Sequence, residues 1–171
     1  MPAAFAKMTS QLRYTMRCIM LLLATPVLLQ AQTKAEEKAQ AAAAVKERVE
    51  AKAYKIRVTQ ASTQRGRTVN LTSDYFIEVK PDTVRCDLPF FGRAFAGSPY
   101  GGEGGIQLQS KDFDYEVAPR KKGGWAVTIR PRADRDVRII NLYIGPDGYC
   151  TANFTLNSRS PMSFFGTVVT R

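Results

Sequence analysis

From Tyr54 onward, apolar and polar residues alternate with a period of two. Tyr54, Ile56 and Val58 are interleaved with Lys55, Arg57 and Thr59. The alternation returns in Tyr75, Ile77 and Val79, in Val84, Cys86 and Leu88, and in Ile106 and Leu108. It continues through Phe113, Tyr115 and Val117, then Trp125, Val127 and Ile129, then Cys150, Ala152, Phe154 and Leu156. A further run covers Met162 to Val169, and Arg135 to Ile144 is apolar on both faces. Period two sends alternate side chains to opposite faces of a strand, so each run predicts a strand with one face in a core. Turn residues separate the runs: Gln64-Arg65-Gly66, Pro81-Asp82, Lys121-Lys122-Gly123-Gly124 and Gly145-Pro146-Asp147-Gly148. Short turns between consecutive strands mean antiparallel pairing. About eight or nine strands in so short a chain must curl or fold into two layers. The expected class is mainly β (α+β), with one N-terminal helix ahead of a curved antiparallel sheet, half-barrel, barrel or sandwich.

Upstream of Tyr54 the pattern is different. Thr33 followed by Glu36 matches a capping box, in which each side chain satisfies the other's backbone N–H. Lys34 to Ala51 is rich in Ala, Lys and Glu, with a narrow apolar stripe of Ala35, Ala39, Ala42, Val45 and Val49. This predicts a helix within 32–53. Ahead of it, Lys7, Arg13 and Arg17 precede an apolar run from Cys18 to Leu29, and Ala31 supplies a small residue. Basic, then apolar, then small is the order of a secretory signal. The run is too short for a membrane span of about 20 residues, and Pro26 interrupts it. The expected organisation is a cleavable signal at 1–31, a helix at 32–53 and one β domain at 54–171, with export to the periplasm, the outer membrane or the exterior.

Charge changes the picture modestly. The chain carries 25 Lys+Arg against 15 Asp+Glu, a net of +10. The signal takes three of the cations, which leaves about +7. These charges are dispersed, so no nucleic-acid partner is expected. Histidine is absent, which removes Ser–His and Cys–His nucleophile pairs. The sequence implies no cofactor and no metal site. Outside the signal only Cys86 and Cys150 remain. Both fall in the apolar phase of their strands, and in an oxidising compartment they form a candidate disulfide; two buried thiols are the other reading.

Candidate chemistry lies in four places. The loop Pro89–Gly105 holds Phe90, Phe91, Arg93, Phe95 and Tyr100, a set able to stack on apolar or sugar rings and bind a carboxylate or phosphate. The same phenylalanines are equally able to plug the end of the core, with Arg93 on a core carboxylate or on carbonyls. A basic set, Arg120, Lys121, Lys122, Arg130, Arg132, Arg135 and Arg138, surrounds one hairpin and the next turn. Asp112, Asp114 and Glu116 share one strand face, about 7 Å apart in sequence-neighbour pairs, the spacing of a glycosidase carboxylate pair or of a solvated face. Asp82-Thr83-Val84 resembles a short O-glycosylation pattern of Bacteroides envelopes, which makes Thr83 a candidate acceptor.

Three blocks carry a family resemblance: Gly66-Arg67-Thr68-Val69-Asn70-Leu71-Thr72-Ser73-Asp74-Tyr75, then Asp82 to Phe95 with Leu88-Pro89-Phe90-Phe91-Gly92-Arg93-Ala94-Phe95 at its centre, and Asn157-Ser158-Arg159-Ser160-Pro161-Met162-Ser163-Phe164-Phe165-Gly166. Together they resemble the exported family called domain of unknown function 4251 (DUF4251), found mainly in Bacteroides and relatives, over roughly residues 34–170. The resemblance implies an exported β-rich domain of a Gram-negative envelope and supplies no activity. The functional expectation is a non-enzymatic module binding a small ligand, a glycan or an envelope protein. The alternatives are a glycan-active enzyme using carboxylates, or a structural component of an envelope complex.

Overall fold

The computed structural model describes residues 25–95, 104–121, 123–132 and 134–169. Most of the expected signal, 1–24, therefore lies outside the described residues, as do Tyr100 and Lys122. The chain divides into two compact units, residues 1–39 and 40–171. Helix α1, Thr25–Glu50, contributes the described backbone of the first and its last residues to the second. Thr33 is not a helix start here, because helical backbone already runs from Thr25. Leucine and alanine on both sides of the expected cap favour the helix through it.

Nine strands follow: β1 (Tyr54–Thr63), β2 (Thr68–Lys80), β3 (Thr83–Leu88), β4 (Ile106–Ser110), β5 (Phe113–Pro119), β6 (Trp125–Pro131), β7 (Val137–Ile144), β8 (Tyr149–Leu156) and β9 (Met162–Val169). They form one antiparallel sheet in the order β4-β3-β2-β1-β9-β8-β7-β6-β5. The pairing of β1 with β9 joins two meanders, β1 to β4 and β5 to β9. The edge strands β4 and β5 are consecutive in the chain and joined only through Lys111 and Asp112. Ser110 Oγ donates to the Asp112 carbonyl at 2.9 Å in that link. The chain thus brings the two edges together, and the sheet becomes a nearly closed barrel.

The interior is filled. Ile56, Ile77, Leu88, Ile106, Ile129, Ile140, Leu142, Ile144, Phe154 and Phe164 have essentially no exposure. Phe154 and Phe164 meet edge to face at 5.5 Å between ring centroids, a favoured aromatic geometry. At one end Val45 and Val49 of α1 join the same core. The helix stops there for stated reasons. Lys52 takes a left-handed backbone conformation (φ 53°), and Ala53 N–H donates to the Arg48 carbonyl, as in a helix C-terminal motif. Tyr115 O–H donates to the Val49 carbonyl at 2.9 Å. Having given its one proton there, Tyr115 accepts from Tyr54 O–H at 3.2 Å. Of the expected apolar stripe, Ala35 lies outside the residues whose side chains are described; Val45 and Val49 are buried, Ala39 is exposed and Ala42 half-buried.

Two strands depart from the periodicity. β2 begins at Thr68, seven residues ahead of its apolar run. Its first half, Thr68–Asp74, is mostly polar and pairs with the end of β1 beyond a bulge at Val58/Gln60. β7 begins at Val137, after Arg135 and Asp136. Asp134 Oδ1 accepts from the N–H groups of Asp136 and Val137 and turns the chain into the strand.

Candidate functional site

The end of the barrel opposite Val49 is organised by Arg159, a residue that carried no role in the sequence pattern. It is 2% exposed. Its Nε donates to Asp136 Oδ1 at 3.1 Å, and its Nη2 makes a second, shorter contact with Asp136 Oδ2. Nη1 donates to the Gly104 carbonyl at 2.9 Å, and Nη2 to the Gly105 carbonyl at 3.2 Å. Phe90 covers the guanidinium face, 4.5 Å from its ring centroid. One side chain therefore ties together the entry to β7, the entry to β4 and the start of the 89–105 loop. Only arginine has five N–H donors in a planar fork suited to a bidentate carboxylate, two carbonyls and a ring at once.

Residues 91–95 run along this clamp, bending at Gly92 and forming a bridge between Ala94 and Arg159. Phe95 N–H donates to the Ser158 carbonyl, Ser160 N–H to the Arg93 carbonyl, and Arg93 N–H to Ser160 Oγ at 2.9 Å. Gly92 permits the approach: a Cβ there would collide with Ser160 Oγ and the Phe90 ring. Phe91, Arg93 and Phe95 are exposed, while Gly92 and Ala94 between them are half-buried. Phe91 is 44% and Phe95 56% exposed. The expected set thus separates. Phe90 is half-buried as the lid of the clamp, while Phe91, Arg93 and Phe95 form an open strip. The plugging expected of all three phenylalanines holds for Phe90 alone. Arg159, not Arg93, takes the core carboxylate and the carbonyls. Nothing local marked it, since one cation among the turn residues Asn157-Ser158-Arg159-Ser160-Pro161 is also the pattern of a solvated turn.

The acidic and basic sets answer each other. Asp114 and Arg130 are directly opposed on β5 and β6. Arg132 Nη2 donates to Asp114 Oδ1 at 2.6 Å, and Arg130 lies 2.9 Å from Glu116. The hydrogen bond from Arg132 holds the Asp114 carboxyl below the usual carboxylate range. These pairs lie on the outer wall, where exposed ion pairs contribute little stability. The general acid of a catalytic carboxylate pair must be held protonated, so cation-paired Asp114 is unsuited to be that acid. Among the described residues, no group of three His, Cys, Asp or Glu side chains is placed to hold a metal ion. Thr83 is half-buried at the first position of β3, behind exposed Asp82.

Cys86 and Cys150 point into the core as their phase required, but both thiols are free and buried. The structure thus holds the pair in the second of the two readings, as buried thiols. β3 and β8 stand four places apart in the sheet order, about 19 Å along the wall at ~4.8 Å per strand. Bonded cysteines need Cα atoms within about 7 Å. Burial raises both thiol pKa values, that of Cys150 to about 12. The folded protein should therefore resist a thiol reagent near neutral pH. Unfolding without reductant should release both thiols; their absence under those conditions would show a bond after all.

Among the described residues no helix is long and apolar enough to cross a membrane. The family model described as domain of unknown function (DUF4251) matches residues 36–168. Among solved structures the chain is similar to that of a DUF4251 family protein from Bacteroides eggerthii DSM 20697. The two share 20% identity at a TM-score of 0.55, over 77% of this chain and 86% of that one. None of the curated proteins matches the sequence.

Proposed function

Since the chain belongs to the DUF4251 family, whose description carries no activity, we propose a function from the geometry: an exported, non-enzymatic module that binds a partner through the strip Phe91–Arg93–Phe95. The single observation that carries this reading is a contrast at one place. A buried ion pair and three backbone-directed hydrogen bonds fix a segment whose outward side chains are two phenylalanines flanking a cation. A buried ion pair adds little net stability compared with well-packed apolar residues, but it does fix geometry. Exposed aromatics on a fixed backbone lose little entropy on binding, and aromatic and arginine side chains dominate binding hot spots. The strip suits a partner that presents an anionic group between two apolar ones. Export is supported by the basic, apolar, small order of residues 1–31.

The test uses protein recovered from the envelope of a Gram-negative host, with its N-terminus read by mass spectrometry and expected near Gln32. Wild type and the variant Phe91→Ser/Arg93→Ala/Phe95→Ser are compared against immobilised envelope protein extract and a panel of acidic glycans. The variant should keep its circular dichroism spectrum and lose the wild-type interactions. Equal binding by both proteins would remove the strip from the proposal, and recovery solely from the cytoplasm with residues 1–31 intact would remove export.

A further inference from the structure

A second surface, independent of the strip, lies on the outer wall over β1, β9, β8 and β7. A groove of about 430 Å³ is lined there by Tyr143, Tyr149, Thr151, Phe165, Gln60 and Asp147, among others. We propose that it binds a neutral oligosaccharide.

The sheet register sets out the site. Tyr143 on β7 is directly opposed to Thr151 on β8, and Thr151 to Phe165 on β9. The two rings therefore rise from strands two places apart, about 10 Å at the usual strand spacing. Tyr149 precedes Thr151 by two residues, on the same face and about 7 Å along the strand. Three rings thus surround one threonine. Their exposures are 36% for Tyr143, 67% for Tyr149 and 37% for Phe165. Arg120 packs over Tyr143, 5.0 Å from its ring centroid, and steadies that ring.

The polar part is built as well. At the bulge in β1, Thr59 and Gln60 both face outward, so the wall gains one extra polar side chain next to the rings. Thr59 Oγ1 donates to the Phe165 carbonyl at 3.3 Å. Gly166 permits this close approach of β1 and β9, since a Cβ there would collide with the Arg57 carbonyl. Asp147 Oδ1 accepts from Tyr149 N–H and fixes the turn that presents that ring. The next outward row, Asn141, Asn153 and Ser163, adds amides and a hydroxyl alongside.

These features select the ligand class. Among the described residues lining the groove, one cation, Arg120, is offset by one carboxylate, Asp147, which gives no excess charge for a polyanion, whose binding needs clustered cations. Each of the four strands is paired on both sides. A peptide therefore finds no open edge to add to as a strand, and recognition must come from side chains. Rings that stack, beside hydroxyls and amides that both donate and accept, match a sugar. A sugar ring offers an apolar C–H face and a rim of uncharged hydroxyls.

The test is a panel of neutral oligosaccharides, with acidic polysaccharides and a proline-rich peptide as comparators. The proteins are wild type, Tyr149→Ala, Phe165→Ala and, from the separate strip, Phe91→Ser. Affinity is read by calorimetry, folding by circular dichroism and mass by sedimentation. The expected result is binding to at least one neutral oligosaccharide, weakened about tenfold by Tyr149→Ala and by Phe165→Ala and unchanged in Phe91→Ser. The proposal is overturned if no neutral oligosaccharide binds, if binding is confined to the acidic polymers or the peptide, or if Tyr149→Ala binds as well as wild type. Dissociation of a wild-type dimer by Tyr149→Ala, without sugar binding, would reassign the rings to a contact between copies.

Discussion

Arg159→Ala is expected to lower the unfolding free energy by about 3–5 kcal/mol, the cost of breaking a buried ion pair from one side. Three losses combine. Asp136, 4% exposed, keeps its carboxylate in the core without its cation. The Gly104 and Gly105 carbonyls lose their donors, a smaller loss because both glycines are exposed and water can replace the guanidinium there. Phe90 loses the guanidinium it covers. Typical domains have only 5–15 kcal/mol in total, so the midpoint of urea unfolding should fall steeply. Hydrogen exchange at Phe95 and Ser160, whose N–H groups pin the strip to its neighbour, should accelerate as well. The double variant Arg159→Met/Asp136→Leu should be more stable than Arg159→Ala, since no unpaired charge remains. A loss below about 1 kcal/mol for Arg159→Ala, the range of an exposed pair, would show that water already reaches the clamp.

Phe154→Ala is expected to cost a similar amount, about 3–5 kcal/mol, by a different route. Phe154 has no exposure, and its ring meets Phe164 edge to face. Phe164 stands opposite Ala152 and Phe154 opposite Met162. Ala152 leaves room for the Phe164 ring, while Met162 packs beside Phe154, and the two rings interlock. Alanine at 154 opens a cavity that the wall there cannot close, because β8 and β9 are each held by hydrogen bonds on both sides. Phe154→Leu keeps most of the volume and should cost under about 1.5 kcal/mol. Chemical denaturation of the two variants measures the difference. Equal and small losses would mean that the interior is loosely packed.

The proposed surfaces sit where stability depends least on side-chain identity. Phe91, Phe95 and Tyr149 project from backbones fixed by other residues: Arg159 and Ser160 for the first two, Asp147 for the third. Their substitution should therefore alter recognition and leave the fold in place, whereas Arg159→Ala should disturb both the fold and the strip.

Period-two alternation was enough to determine the strands, their antiparallel pairing and most of the core, although Val117, in the inward phase of β5, is exposed. Local geometry makes inside and outside alternate in any strand with one buried face. The polar first half of β2 escaped this reading, because an outward strand segment needs no apolar phase. What the sequence could not decide depends on which strands become neighbours. Cys86 and Cys150 share a phase yet stand four strands apart, so phase alone could not say whether they meet. The acids of β5 and the arginines near β6 were visible separately, and only register joined them. Arg159 is the clearest case. Its partners lie 23 and about 55 positions away, and a lone arginine in a turn gives no local sign of burial. The ring triad around Thr151 likewise exists only because β7, β8 and β9 align in register. Long-range pairing, set by closure of the sheet, decided both surfaces proposed to carry function.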